Sequence, residues 1–202
     1  MRPFWLEQAL MSDGDLAPAL QGAQRADVCI VGGGFTGLWT AIQAKQRNPG
    51  LDIVILERDL CGAGASGRNG GCLLTWSAKF LTLRRLFGEA EALRLVRASE
   101  AAVDAIGDFV REHGIDAEFR RDGTLYTATA AAQVGTMEPV VQALQAHGID
   151  SYHALAPAEV ARRSGSARNI AGWYSPIAAT VQPGKLVRGL RRVALAMGIR
   201  IH

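Results

Sequence analysis

The chain has 202 residues, 49% of them hydrophobic, which is enough to bury the core of one domain, or of a domain with an insertion, and argues against disorder. Its formal charge of +3 comes from 22 basic and 19 acidic residues scattered along the sequence, without the block of like charge that marks a nucleic-acid or lipid-binding tail. The three cysteines, Cys29, Cys61 and Cys72, are odd in number and lack CxxC spacing, so neither a disulfide framework nor a zinc site is expected, and a reducing cytoplasm fits best.

From Met1 to Gln24 the acids Glu7, Asp13 and Asp15 interrupt the apolar residues, so no signal peptide and no membrane span is expected. Phe4 and Trp5 are expected to dock an amino-terminal arm. Asp27 to Val31 is a short apolar run that stops at three glycines, as a buried parallel strand should. A helix follows from Gly37 to Asn48, with Leu38, Ala41, Ile42 and the stem of Lys45 on one face, and Asn48-Pro49-Gly50 ends it. Asp52 to Glu57 is a second buried strand, completing a βαβ unit.

Farther along, Val96, Ser99, Val103, Ile106 and Val110 recur in steps of three and four, predicting a one-faced helix over residues 90–113. Asp122-Gly123 is a turn feeding a strand within 119–129. Helices are predicted over 137–147 and 157–163, a strand over 169–175, and a helix over 183–197 with Pro183 in its first turn. Three of these helices run into His113-Gly114-Ile115, His147-Gly148-Ile149 and Met197-Gly198-Ile199, where glycine can close the helix in the left-handed conformation. The arginine pairs at 84–85, 120–121, 162–163 and 191–192 read as solvated faces.

Gly32, Gly34 and Gly37 form G-x-G-x-x-G. Such a pattern alone is weak, but here it follows a strand, opens a helix and lies in a βαβ unit of 31 residues, the context of a dinucleotide site. Gly32 permits the tight turn, Gly34 lets backbone approach a pyrophosphate, and Gly37 allows close packing of helix on strand, while the helix start offers unpaired N–H donors. The competing reading is a structural glycine turn. Glu57, 20 residues past Gly37, stands where an acid accepts hydrogen bonds from an adenosine ribose, and Arg58 beside it offsets some of its charge; otherwise it is a solvated strand-end acid. The segment from Gly62 to Gly71 is either a flexible linker or a second glycine-rich loop in which Arg68 and Asn69, set among small residues, bind a ligand that the backbone approaches closely. A nicotinamide enzyme has no need of such a loop; a longer dinucleotide does.

Together, Asp27–Trp39, Leu56-Glu57-Arg58, Gly64–Gly71 and Val181–Leu186 resemble the D-amino-acid-oxidase-like flavoproteins, and within them the gamma-glutamylputrescine oxidase-like branch. The resemblance spans nearly the whole chain. It implies a Rossmann-like, α/β FAD-binding domain with a parallel sheet in ββα layers and an inserted α+β substrate domain, both incomplete, divided as 1–114, 115–175 and 176–202. It also implies FAD held by Gly32, Gly34, Phe35, Thr36, Gly37, Glu57 and Arg58 on the ADP side, and by Ser66, Arg68, Asn69, Gly70 and Gly71 along the pyrophosphate and towards the flavin ring. Some relatives attach the flavin through a histidine in this third stretch; none occurs here, so non-covalent binding is expected.

The implied reaction is oxidation of a C–N bond in a small-molecule amine or amino acid, with no nucleic-acid partner. Competing readings are a non-catalytic dinucleotide-binding module or subunit and a flavoenzyme of the same fold with another substrate. Catalytic side chains stay unassigned: Tyr126, Trp173 and Tyr174 read as sheet packers before substrate contacts, and His113, His147 and His153 as helix-end or surface residues. Because the chain stops inside an alternating strand, it is expected to be incomplete, lacking a carboxy-terminal half and inactive without it.

Overall fold

The computed structural model describes residues 2–13 and 16–202; Asp15, read above as one of the acids of the amino-terminal arm, lies outside the described residues. In chain order the elements are α1 (Phe4–Leu10), β1 (Val28–Val31), α2 (Phe35–Arg47), β2 (Ile53–Leu56), β3 (Cys72–Leu73), α3 (Phe80–Phe87), α4 (Glu89–Glu112), β4 (Thr124–Ala128), α5 (Glu138–Gln145), β5 (His153–Leu155), α6 (Pro157–Ser164), β6 (Ala171–Ser175), β7 (Ala179–Thr180), α7 (Pro183–Ala196) and β8 (Arg200–Ile201). Two compact units result, one of residues 1–71, 109–119 and 181–202, the other of 72–108 and 120–180. The sequence reading drew its first boundary at 114; in the fold, α3 and most of α4 group with the second unit.

The first unit is built on a parallel sheet of order β1-β2-β8. β2 is buried as predicted, with Ile53 and Ile55 wholly enclosed, because strands flank it on both sides. β1 departs from the expectation of a buried strand: it pairs with β2 alone among the described residues, so Cys29 and Val31 are exposed while Val28 and Ile30 are half-buried. Burial in a parallel sheet follows from neighbours and not from apolar composition. α2 buries Leu38, Ala41 and Ile42, and Lys45 Nζ donates to the Leu51 carbonyl at 2.7 Å, tying the helix end to the start of β2.

The amino-terminal arm does dock, but as a helix and through Leu6 and Ala9; Phe4 stays exposed. The decisive group is Gln182, whose side chain caps α7 by accepting the Lys185 N–H at 2.7 Å and donates to the Trp5 carbonyl at 2.9 Å and to Gln8 Oε1 at 3.0 Å. Arg191, read as solvated, is only 3% exposed, because α7 is surrounded on both sides of its apolar stripe. Arg188 on the same helix is 1% exposed and pairs with Asp13 at 2.9 Å.

The three helix ends adopt the predicted geometry. Gly114, Gly148 and Gly198 have φ of +58°, +70° and +79°, and the N–H of each following isoleucine reaches back to the carbonyl five residues earlier, Val110, Leu144 or Ala194. That is the closing bond of the Schellman motif, and each isoleucine then enters the core.

The second unit carries an antiparallel sheet of order β4-β6-β5 and a short β3-β7 pair. One core gathers Phe80 and Leu83 of α3, Val96 of α4, Val141 and Leu144 of α5, and Ile149. Tyr126 and Trp173, directly opposite each other in the β4-β6 register, pack partly buried against it. Tyr174, on the other face, donates to the Asp122 carbonyl at 3.2 Å, and Arg163 lies over its ring.

Candidate functional site

The first unit brings the glycine pattern, Glu57 and Ser66 together at the carboxyl ends of β1 and β2. β1 ends at Val31, and the Gly32 N–H donates to the Leu56 carbonyl at 2.8 Å, so the loop begins as a continuation of the ladder. Gly32 then turns with φ of +103° into space where no atom lies within 4 Å of a would-be Cβ. That open side is what a backbone cradle for a ligand requires. Gly37, in the first turn of α2, packs directly on the Gly32 carbonyl, with Ile30 Cγ2 3.3 Å from where a Cβ would stand.

Two side chains distant in sequence fix the loop. Glu57 Oε2 accepts the Gly33 N–H at 2.7 Å and its Oε1 accepts the Asp59 N–H at 3.0 Å, while its own N–H donates to the His202 carbonyl at 2.7 Å beyond β8. Ser66 Oγ accepts the Phe35 N–H at 2.9 Å, supplying the opening of α2, which has no side-chain cap from its own N-cap Gly34. Among the described residues, no protein acceptor meets the amides of Gly34 and Thr36 at this helix start. α2 is 13 residues long, so these donors lie at the positive end of a substantial dipole, the arrangement that takes a phosphate oxygen.

The third stretch is an ordered loop and not a flexible linker. A single 3₁₀ turn spans Ala65–Gly67. Arg68 Nε donates to the Ala63 carbonyl at 3.0 Å, and Asn69 Nδ2 donates to the carbonyls of Ala65 and Ser66 at 3.1 and 3.0 Å. Asn69 Oδ1 accepts the Gly71 N–H at 2.8 Å, and the Gly71 carbonyl accepts the Val181 N–H at 2.9 Å. Arg68 and Asn69 therefore brace the loop, while Gly70 and Gly64 have open space beside them. Arg58 and Thr36 are exposed and Phe35 is half-buried.

Cys61, which with Cys72 flanks the third stretch and is a local candidate for a covalent flavin link, enters this site. Its Sγ lies against Gly33 beside Glu57, 3% exposed, and burial pushes the thiol up. No helix among the described residues is long and apolar enough to cross a membrane, and none of their His, Cys, Asp and Glu side chains cluster as a metal site. The histidines sit where the sequence placed them: His113 against the Phe109 ring, His147 near Glu89, and His153 exposed beside Asp150.

A family model described as DAO, FAD dependent oxidoreductase, matches residues 27–202. The chain belongs to this family. FAD is the cofactor of the family, and the matched span holds the whole of the site just described. "Probable oxidoreductase OrdL" of Rhizobium meliloti is 30% identical over 203 residues, covering 98% of this chain and 46% of that protein. Gamma-glutamylputrescine oxidoreductase of Escherichia coli is 35% identical over 113 residues, covering 55% and 26%. Among solved structures, an L-amino acid deaminase from Proteus vulgaris lacking its specific insertion sequence superposes with a TM-score of 0.72 at 22% identity, over 92% of this chain and 47% of that one. The chain thus spans less than half the length of these relatives. It shares with the last their mixed α/β fold with a parallel sheet.

Proposed function

We propose that this oxidoreductase binds FAD with its ADP half on the Gly32–Gly37 loop and Glu57, and that the protein oxidises the C–N bond of an amine or amino acid. The observation that carries the cofactor placement is the loop itself, clamped by Glu57 and Ser66, with no protein acceptor at the Gly34 and Thr36 amides among the described residues and open space beside Gly32. A diphosphate suits those donors, and the Glu57 carboxylate suits a ribose hydroxyl. Glu57 already holds the Gly33 N–H, so ribose binding uses its remaining lone pairs. The same negative charge disfavours a 2′-phosphate. In this reading the ordered loop of Ser66, Arg68, Asn69, Gly70 and Gly71 lies along the pyrophosphate and towards the flavin end, and the second unit contributes to a substrate domain inserted between the segments of the first.

FAD, when bound, supplies the hydride acceptor. The chain's own part is to bind and orient it: backbone donors fix the diphosphate, Glu57 fixes the ribose, and the buried Cys61 packs against Gly33. Binding is non-covalent in this reading, since no histidine lies between Gly62 and Cys72 and the Cys61 thiol is buried; the exposed Cys72 is the remaining local candidate for a covalent link, which the precipitation assay below decides.

Support for the amine class comes from the names of the relatives, a gamma-glutamylputrescine oxidoreductase and an L-amino acid deaminase. The test is anaerobic addition of amines, amino acids and their hydroxy counterparts to the FAD-loaded chain combined with a polypeptide that covers the remainder of the relatives' length. Bleaching of the oxidised flavin by amines, with carbonyl product and released flavin in the supernatant after acid precipitation, is the expected result. Bleaching by the hydroxy compounds and not by amines would replace the substrate class, and flavin fluorescence retained in the pellet would refute the non-covalent link.

A further inference from the structure

Three strands of the second unit present one row of side chains on a single sheet face: Tyr126 of β4 stands directly opposite Trp173 of β6, and Trp173 opposite Ala154 of β5. Two residues along, Ala128 and Ala171 form the next row of the same face. The two rings therefore stand beside a floor of three methyl groups, and the segment that leads into α5 lines the other side. The cavity between them is about 340 Å³, a volume in the range of small-ligand sites.

Its lining offers an ion little. No Lys, Arg or His lines it, and the Oε2 of its one carboxylate, Glu138, is enclosed beneath Gly135, so a charged group entering the cavity gives up water for apolar surface. One fixed polar group remains. Gln133 Oε1 accepts the N–H groups of Thr129 and Ala130 at 2.8 and 3.1 Å and the Thr129 hydroxyl at 3.2 Å. Two backbone donors can meet only the amide oxygen, so the orientation of this side chain is settled, and its Nε2 keeps donor hydrogens that no protein group accepts among the described residues. A ligand matched to these walls has a flat apolar body that lies on the alanine floor against the Trp173 ring, no net charge, and an oxygen that accepts from Gln133. We propose that this cavity binds a small neutral aromatic carbonyl compound, its ring beside Trp173 and Tyr126 and its oxygen on Gln133 Nε2.

Every lining residue belongs to the second unit, so the assignment stands apart from the flavin reading, and its test contains neither cofactor nor redox step. The 15N-labelled chain is titrated with benzamide, and in parallel with benzoate and benzylammonium as charged counterparts, cyclohexanecarboxamide as the non-planar one and toluene as the one without an oxygen, following amide shifts. Saturable shifts confined to residues around 126–138, 154–155 and 171–173 are expected for benzamide, at least tenfold weaker for both ions and for cyclohexanecarboxamide, at least threefold weaker for toluene, and lost in Ala154→Leu, which fills the floor. Equal or tighter binding of either ion, of cyclohexanecarboxamide or of toluene would overturn the proposal, as would benzamide shifts elsewhere or none. The ligand comparison is made on the unaltered chain, so it decides the matter even if Ala154→Leu folds poorly.

Discussion

Asp13→Ala is expected to destabilise the first unit by about 3 kcal/mol or more, the cost typical of removing one partner of a buried ion pair. Arg188 is 1% exposed, and its Nη2 and Nε reach Asp13 Oδ1 and Oδ2 at 2.9 and 3.3 Å, while Arg192 from the next turn approaches Oδ2 at 3.4 Å. Truncation removes the carboxylate from the buried Arg188 guanidinium, which retains the Asp13 backbone carbonyl at 3.3 Å, and Asp13→Asn should fall between, keeping a side-chain acceptor and losing the charge. The pH dependence follows from the same contacts. Burial alone would raise the Asp13 carboxyl, but the hydrogen bonds and charges of Arg188 and then Arg192 outweigh it and hold it below the ordinary carboxylate value. A carboxyl with a depressed folded pKa contributes its full stabilisation above the unfolded value, near about 3.9, and loses it as pH falls through the folded one. Chemical denaturation of the parent and Asp13→Asn from pH 7 down to pH 3 should therefore show a stability gap that is flat above about pH 5 and closes only in the most acidic samples. A gap that widens with acid would contradict the assignment.

Gly37→Ala should be nearly as damaging, against the usual trend. In an ordinary helix the change gains about 1 kcal/mol, but here the added methyl is driven onto the Gly32 carbonyl, with the carbonyl carbon 3.2 Å and Ile30 Cγ2 3.3 Å from it. Backbone cannot rotate away as a side chain can, so overpacking of about 3 kcal/mol exceeds the propensity gain. The net loss of about 2 kcal/mol falls on the loop that Glu57 and Ser66 clamp, and FAD affinity should fall about 30-fold with it. Comparable melting temperature and FAD affinity in Gly37→Ala would show that α2 does not press on the loop as described.

The features legible beforehand were those written in local spacing. Leu38, Ala41 and Ile42 declared the inner face of α2, and the glycine-isoleucine pairs at 114, 148 and 198 declared three helix ends, because a few neighbouring residues decide each. The G-x-G-x-x-G turn and Glu57 were legible as a pair because the βαβ unit closes over only 31 residues. What stayed hidden depends on groups far apart in the chain. The Ser66 hydroxyl meets the Phe35 amide across 31 residues, and Gln182 joins Trp5 across 177. The burial of Arg191 and the exposure of Val31 likewise reflect which neighbours a helix or strand has, not its own composition. Arg68 and Asn69 stand out among small residues as ligand-binding candidates, and their side chains turn back to brace their own loop. α3 had a signal that went unread, with Phe80 and Leu83 spaced to share one buried face.

The central claim, that the Gly32–Gly37 loop and Glu57 hold the ADP half of FAD, is tested most directly by competition. Calorimetric titration of FAD into the chain is repeated in the presence of ADP or FMN, and again with Glu57→Gln. The account predicts that ADP displaces FAD and FMN does not, and that Glu57→Gln weakens FAD and ADP alike by about 1.5–3 kcal/mol, the worth of a hydrogen bond to a charged group. Displacement by FMN but not by ADP, or an unaltered FAD affinity in correctly folded Glu57→Gln, would contradict it.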